Sequence, residues 1–259
     1  MSFPAAGRPA PLTTLALLFG LAAGGTTPVA AQIQEDLAQQ ATDPTASLLS
    51  VNLFGDVRTS FHDRDESGFE WRFQPVVPYS AFDMPNILRV VLPYQASGPG
   101  AEGLKSVSIF NLTLVDEEWG RWGVGPVMTL AEGVSENGPQ FAIGPAVGAV
   151  YQYSPVVQLG IFNQNLIGSD FAVTQFQPII AYQLGNGWSL AAGDLQFVYD
   201  WDAGAWTQVP LGFQLGLVKP LFGQPMRFSV NPMWNVRDRA GTFESKIVFG
   251  VTLLAPTGG

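Results

Sequence analysis

The sequence predicts an all-β fold: a transmembrane antiparallel up-and-down β-barrel of about twelve strands that follows an N-terminal signal peptide. Apolar and polar side chains alternate from Thr242 to Leu253, and about eleven other stretches show nearly the same pattern. Because successive side chains of a strand point to opposite faces, the alternation gives each strand one apolar face and one polar face. A secretion signal precedes these stretches, and none of the 259 residues is a cysteine.

Residues 1–31 have the organisation of a secretory signal peptide. Arg8 supplies a positive charge, Leu12–Gly25 forms a short apolar core, and small residues at Val29–Ala31 precede Gln32. The core is shorter than the run of about 20 apolar residues that a transmembrane helix needs. We expect cleavage after Ala31, and an uncleaved anchor is the alternative.

Residues 32–47 are predicted to be a periplasmic lead-in segment. Ile33, Leu37 and Ala41 follow one another at helical spacing in an otherwise polar stretch. We interpret the stretch as a short helix or a flexible lead-in that ends near Asp43-Pro44, because a proline disfavours helix at the residue before it. A plug of the barrel is a further alternative for this segment.

Residues 48–255 are predicted to form the barrel. The connectors after odd-numbered strands are acidic or glycine-rich, and those after even-numbered strands are mostly tighter, which is typical of outer loops and periplasmic turns. Asn186-Gly187 predicts a type I′ hairpin. Each strand is long enough for a tilted crossing of about 9–11 residues. The predicted spans are 48–61, 69–80, 86–95, 104–115, 121–130, 139–153, 155–167, 172–184, 188–201, 205–218, 224–237 and 242–254.

Prolines and aromatic residues qualify this picture. Six prolines fall inside predicted strands, and we expect them at bulges or near strand ends because proline cannot donate to the ladder. Tryptophan and tyrosine cluster near strand ends, as in the two aromatic girdles of membrane barrels. The prolines are Pro75, Pro126, Pro145, Pro178, Pro210 and Pro232. The girdle candidates are Tyr79, Trp119, Trp122 and Trp188 at the inner rim and Trp71, Tyr94, Trp201 and Trp206 at the outer rim.

Composition limits the function classes. The formal net charge is −9, whereas a nucleic-acid partner requires clustered Lys and Arg. Only 13% of the residues are charged, compared with about 25% in typical soluble domains. The lack of cysteine excludes disulfides, thiolate chemistry and the usual zinc sites. No cofactor or metal is implied.

When the apolar face of each strand is assigned to lipid, the remaining face lists the candidates for the lumen. Charges of both signs occur there, and we expect them to pair, because an Arg or Lys facing lipid costs about 2–4 kcal/mol at the midplane. The set predicts either a polar conduit or a sealed, salt-bridged interior. The lumen candidates are Asp56, Arg58, Glu70, Arg72, Gln74, Arg89, Gln158, Gln175, Gln177, Asp194, Gln196, Gln208, Gln214, Arg227, Asn231, Arg237, Glu244 and Lys246.

Several motifs in order resemble one family. They include the FQPVVPY strand (Phe73–Tyr79), the WGVGPVM strand (Trp122–Met128), GPQFAIGPAVGAVYQ (Gly138–Gln152) and TQFQPIIAYQLGNGWSL (Thr174–Leu190). Together they resemble the outer-membrane β-barrel transporters of the MetA-pathway of phenol degradation family, some of which carry the label neuromedin U. The resemblance implies a location in the bacterial outer membrane and the passage of small, hydrophobic or aromatic molecules. It also implies outer-membrane lipid and the insertion machinery as partners, and no catalytic residues.

The rival function class is an outer-membrane hydrolase. Its Ser–His pair would have to use His62, the only histidine, which lies near Ser60, Asp63 and Ser67. A surface histidine beside a charged loop is the simpler interpretation. We therefore predict a channel or transporter without catalytic residues, with a sealed structural barrel as the alternative and a hydrolase as the less favoured one.

Overall fold

The computed structural model describes residues 28–131, 140–169 and 171–255, and only the backbone of residues 28–31 and 131. The predicted signal peptide lies outside the described residues except for the backbone of its last four, as do the predicted outer loop at 132–138 and Asp170. Helix α1 spans Pro28–Gln40. The lead-in is therefore helical, as one of the predicted alternatives stated. The helix begins before the predicted cleavage site after Ala31.

The strands follow the predicted spans closely, with three of them interrupted. Their bounds are β1 (Leu49–Phe61), β2 (Gly68–Ala81), β3 (Met84–Ser97), β4 (Gly103–Leu104), β5 (Val107–Glu117), β6 (Gly120–Ala131), β7 (Gln140–Ser154), β8 (Val157–Gly168), β9 (Ala172–Gly185), β10 (Trp188–Ala191), β11 (Phe197–Asp200), β12 (Ala205–Gln208), β13 (Pro210–Gly212), β14 (Gln214–Leu221), β15 (Gln224–Asn235) and β16 (Phe243–Ala255). Three groups, β4–β5, β10–β11 and β12–β14, each act as one strand of the wall.

These elements form a closed antiparallel barrel of twelve wall strands, which confirms the predicted fold. Neighbours along the chain pair with one another, and the first and last strands complete the circle. Leu49 of β1 pairs with Ala255 of β16, and the ladder continues to Phe61 and Phe243. Closure leaves neither terminal strand with an unpaired edge, which is what a sheet in hydrocarbon requires.

The tight turns at one end of the barrel include three of the same kind. Asn186 and Gly187 have φ of 54° and 79°, so the predicted type I′ hairpin is confirmed. Phe82-Asp83 and Phe222-Gly223 have the same positive φ pattern. Helix α1 lies at this end, because Gln34 donates a hydrogen bond to the carbonyl of Asn186.

The expectation that the in-strand prolines sit at bulges or strand ends is wrong for most of them. Pro126 and Pro145 face each other in the middle of the β6–β7 ladder, which runs through them without a shift. On their other sides they leave gaps in the β5–β6 and β7–β8 ladders, since proline has no N–H to donate. Pro210 does begin a short strand, β13.

The outer surface of the barrel is apolar. Val51 and Leu53 of β1 and Val251 and Leu253 of β16 point outward and are exposed. Most of the girdle candidates are exposed large aromatics as well, and their set is Trp71, Tyr79, Tyr94, Trp119, Trp188, Trp201 and Trp206. This is the surface that a membrane barrel presents to acyl chains and headgroups. None of the helical segments that the structure describes is both long and apolar enough to span a membrane.

The interior of the barrel has two unlike halves. From β3 to β9 the inward face carries a packed apolar cluster that includes Ile87, Leu112 and Val127, which have no exposed surface. The other half, built by β1, β2, β14, β15 and β16, is largely polar inside. The rule that one face of each strand is polar therefore fails on β5 to β8, where both faces are mostly apolar.

Candidate functional site

The polar half of the interior encloses a cavity of about 530 Å³. Strands β1, β2 and β3 form one side and β14, β15 and β16 an adjacent side, so the inward side chains of the alternating pattern meet there. The last residue of α1, Gln40, and the chain that follows it as far as Leu48 contribute to the lining at the end of the tight turns. The cavity is therefore the space between the wall and this N-terminal segment.

Fifteen of the eighteen lumen candidates line this cavity. Gln158 is buried but lines a second, smaller cavity near Gln152. Arg237 and Glu244 are exposed at the rim and do not line the cavity, and those two assignments are corrected. Arg237 comes after the end of β15 at Asn235.

Glu244 is displaced by irregular pairing. The β1–β16 ladder shifts register between Arg58 and Phe61, and Phe243 takes the place on the cavity side that the alternation predicts for Glu244. One extra residue reverses the direction of every side chain that follows it in a strand.

Charged side chains form a network across the cavity wall. Arg58 pairs with Glu70 at 2.6 Å and Lys246 with Asp56 at 3.3 Å. Arg72 donates to Asp194 and lies 3.8 Å from Asp56. These pairs join different strands instead of joining neighbours on one strand.

The carboxylate of Asp56 is the centre of this network. Only 2% of Asp56 is exposed. A buried carboxylate is tolerated when cations and hydrogen bonds compensate its lost hydration. The network therefore ties β1, β2 and β16 to the segment that carries Asp194.

Asp194 reaches the cavity because its strand is interrupted. The predicted span 188–201 is two short strands, β10 and β11, separated by residues 192–196. Gly193 has φ of 75°, a conformation that suits glycine. Leu195 of the same segment is buried against Met233 and Phe243 inside the barrel. The segment thus bends inward and brings the carboxylate of Asp194 to Arg72.

The N-terminal segment from Gln34 to Leu48 closes the end of the barrel where the tight turns lie, and we call it the plug. Its apolar residues Leu37, Ala38, Ala46 and Leu48 pack against Val218 and Leu254 of the wall. Polar contacts hold it as well. Arg89 donates to the carbonyl of Pro44 at 2.9 Å and Arg121 to that of Thr45 at 3.2 Å.

The plug contains a buried carboxyl group. Asp43 accepts hydrogen bonds from the backbone and the hydroxyl of Thr45, at 2.7 and 2.6 Å. Burial raises the pKa of Asp43 above its ordinary value, although the Thr45 hydrogen bonds and the charges of Arg121 and Arg89 act in the opposite direction. The plug therefore contains one group whose charge is disfavoured where it lies.

Sequence analysis missed the phenylalanines of the cavity. Phe54, Phe61, Phe110, Phe162 and Phe243 all line it. Three cations lie over such rings: Arg72 over Phe54 at 4.8 Å, Arg89 over Phe110 at 4.8 Å, and Lys246 over Phe243 at 4.6 Å. Assigning every apolar residue to lipid hid them. Phe54, which shares its strand face with Asn52 and Asp56, was the visible exception.

His62 does not form a Ser–His pair in the described part of the chain. Its Nε2 donates to the carbonyl of Asn235 at 2.9 Å, and its Nδ1 lies 3.8 Å from Asp238. The hydroxyl of Ser60 bonds to Ser245 instead. Among the described residues, no group of His, Asp and Glu is arranged to hold a metal ion.

No family model and no curated protein sequence matches this chain. Solved structures do match. The NanC porin is 12% identical over 78% of this chain and 98% of that chain, with a TM-score of 0.51. The fold is that of an outer-membrane β-barrel.

Two further structures are similar at lower TM-scores. The KdgM porin is 9% identical over 79% of this chain and 98% of that chain, with a TM-score of 0.49. Outer membrane phospholipase A from Escherichia coli is 10% identical over 80% of this chain and 92% of that chain, with a TM-score of 0.48. At such identities the likeness concerns the fold alone.

Proposed function

We propose that this chain is a channel of the bacterial outer membrane through which small molecules diffuse. The observation that carries the proposal is the cavity of about 530 Å³ inside a closed barrel, lined by Arg, Lys, Asp, Glu, Gln and Asn side chains. A barrel that served only to hold itself together would not need a polar cavity of this size. Twelve strands give a lumen between the filled eight-stranded barrels and the wide porins.

We propose cargo that carries an apolar or aromatic part. Five phenylalanines line the cavity beside the polar groups, so a mixed ligand would find partners of both kinds. The motifs Phe73–Tyr79 and Thr174–Leu190 support membership of the MetA-pathway of phenol degradation family. That family's association with aromatic molecules agrees with this cargo class.

The plug makes a sealed structural barrel the second candidate. It fills one end of the lumen, and its packed residues Leu37 and Leu48 are buried. The plug is not a strand of the wall, however, so it can leave without breaking the ladders. We propose that it acts as a gate.

Single-channel recording in planar bilayers tests the channel. Wild-type protein should give discrete conductance steps, and Arg121→Gln, which removes a hydrogen bond to the plug carbonyl of Thr45, should raise the open fraction. Arg237→Gln at the rim removes the same charge far from the plug and should match wild type. Silence of both the wild type and the Arg121 variant would favour the sealed barrel.

We propose that the chain is not an enzyme. His62 bonds to a backbone carbonyl and not to a serine hydroxyl. Purified protein should leave phospholipid vesicles intact, with or without calcium. Hydrolysis that His62→Ala abolishes would overturn this part of the proposal.

We propose that assembly uses the outer-membrane insertion machinery and that outer-membrane lipid surrounds the wall. Strand β16 carries Phe249, Val251 and Leu253 on its outward face. Depletion of the machinery in cells should leave the chain protease-sensitive and outside the membrane fraction. Unchanged insertion after depletion would contradict the proposal.

A further inference from the structure

The cations of the cavity wall fall into two groups. Arg58, Arg72 and Lys246 each have a carboxylate partner, namely Glu70, Asp194 and Asp56. Arg89 and Arg227 also line the cavity, but among the described residues neither has a carboxylate oxygen within 4.0 Å. The cavity lining therefore holds five cations against four carboxylates, one of which is Asp43 of the plug, in a chain whose net charge is −9.

Arg227 is the more isolated of the two. Only 5% of it is exposed, and its guanidinium donates to Oε1 of Gln214 at 2.6 Å while its Nε has no hydrogen-bond partner. A Cβ at Gly216 would lie 2.8 Å from Nη2 of Arg227, so the glycine leaves room for the guanidinium. A neutral amide does not compensate a buried charge, which normally requires a counter-ion.

Arg89 lies where the polar and apolar halves of the interior meet. Its guanidinium stands 4.8 Å from the ring centre of Phe110, which is 5.3 Å from that of Phe162. One N–H donates to Pro44 of the plug, and Nε has no partner. Asp194 and Asp43 are the opposite charges that act on Arg89, but Asp194 is paired with Arg72 and the Oδ1 of Asp43 accepts hydrogen bonds from Thr45.

The two arginines belong to one stretch of wall. Arg227 pairs in register with Thr252, and Thr252 pairs with Asn52. Asn52 pairs with Gln74, two residues before Val76, which is the register partner of Arg89. Both guanidinium groups therefore line the same cavity, from β15 and from β3, which lie four strands apart along the wall.

We propose that this cavity binds a small organic anion, a carboxylate on a compact apolar body. The inference rests on the proposed channel function and names its cargo class. The carboxylate accepts hydrogen bonds from the guanidinium groups of Arg89 and Arg227, and the apolar body contacts Phe110 and Phe162. Arginine suits this role because its planar fork matches a carboxylate.

Binding to Arg89 also bears on the plug. The same guanidinium holds the carbonyl of Pro44, and a carboxylate is a stronger acceptor than a neutral carbonyl. An anion at this site therefore competes with a contact that keeps the plug in place. A carboxylate cargo that binds Arg89 therefore weakens a contact that holds the plug in the lumen.

Calorimetric titration of the full chain in detergent with sodium benzoate tests the site. Wild type should bind benzoate, and Arg89→Gln and Arg227→Gln should each weaken binding by about tenfold, the usual scale for losing one charged hydrogen bond. Arg237→Gln is the matched control, because it removes the same charge from the rim, and it should change affinity less than twofold. Benzyl alcohol, which has the ring without the charge, should bind at least ten times more weakly.

Several outcomes would overturn the inference: no benzoate binding by folded wild type, equal binding of benzyl alcohol, or equal losses in the rim control. If Arg227→Gln fails to fold, Arg227→Lys keeps the charge and removes the fork, and it should still weaken binding severalfold. Bilayer recording separates the two proposals. Benzoate binding without conductance overturns the channel and leaves the site, whereas conductance without benzoate binding overturns the site alone.

Discussion

A disulfide between the plug and the wall should lock the lumen shut. A Cβ added at Gly148 would lie 3.0 Å from Cγ2 of Thr45. That methyl carbon is one bond, about 1.5 Å, from the Cβ of Thr45. The two Cβ atoms are thus at most about 4.5 Å apart, within the range of about 3.5–4.5 Å that disulfides show. Thr45→Cys/Gly148→Cys should therefore crosslink, in a chain with no other cysteine.

The crosslink adds a covalent bond to the non-covalent contacts that hold the plug in the wild type. In the native plug, each hydrogen bond to the wall contributes about 1 kcal/mol and each buried leucine about 1.5–3 kcal/mol. Such contacts allow the plug to leave some of the time. The crosslink joins residues 103 positions apart, which stabilises the fold by about 4.7 kcal/mol against the unfolded chain. It also forbids release of the plug while the barrel stays folded.

Two measurements check this prediction. Alkylation of free thiols followed by gel electrophoresis gives the crosslinked fraction, and planar bilayers give the conductance before and after dithiothreitol. Oxidised protein should be silent or nearly so, and reduction should restore the wild-type level. The two single-cysteine variants are the controls and should not respond to dithiothreitol. The reasoning fails if the pair does not crosslink under oxidant, or if crosslinked protein conducts as well as reduced protein.

Three further substitutions test the network, the wall and the plug. Asp56→Asn should lower the free energy of unfolding by about 3–5 kcal/mol, because it leaves Lys246 and Arg72 buried without their shared carboxylate, and urea titration measures the loss. Gly144→Ala should prevent closure of the barrel, since its Cβ would lie 1.8 Å from the carbonyl oxygen of Asn165; circular dichroism and protease resistance report it. In wild type, conductance should fall as the pH is lowered through the raised pKa of Asp43, because protonation removes the penalty of the buried charge and favours the plugged state. Asp43→Asn should abolish that dependence.

Val147→Ala is the control for Gly144→Ala, and Asp63→Asn is the control for Asp56→Asn. Val147→Ala lies on the outward face of the same strand as Gly144 and should leave the barrel folded. Asp63→Asn removes an exposed acid from the rim and should leave the free energy of unfolding nearly unchanged. If the conductance of Asp43→Asn still falls as the pH is lowered, a group other than Asp43 causes the pH dependence.

The wall of the barrel could be predicted from the sequence because most strands alternate apolar and polar side chains, and turn residues bound β5 to β8, where both faces are mostly apolar. The ends of β1 and β16 fall within one residue of the predicted spans, since turn residues mark them. The Asn186-Gly187 turn was also readable, because only a few residue pairs tolerate two positive φ angles. These signals are local, and they do not depend on which strand is the neighbour.

The interior was less predictable, for physical reasons that particular residues show. Ala142, Ala146 and Leu112 are apolar on a face that does not meet lipid, so periodicity cannot tell their side from the outward one. The irregular register beside Arg58 reversed the direction of Glu244, and no sequence signal marks it. The plug contacts depend on Arg89 and Arg121 reaching backbone carbonyls across the lumen. Every residue has a backbone carbonyl, so the sequence cannot show which carbonyl an arginine side chain will contact.

The pairing of β1 with β16 joins the earliest-made strand to the latest-made one. Until residue 255 has been synthesised, the peptide groups of Leu49–Phe61 have no mate on one flank, however much of the sheet has already assembled. A sheet in which β16 has not yet paired with β1 therefore exposes two unpaired strand edges, and such edges can pair with other chains. Loss of the final strand alone would yield aggregate and not a narrower pore.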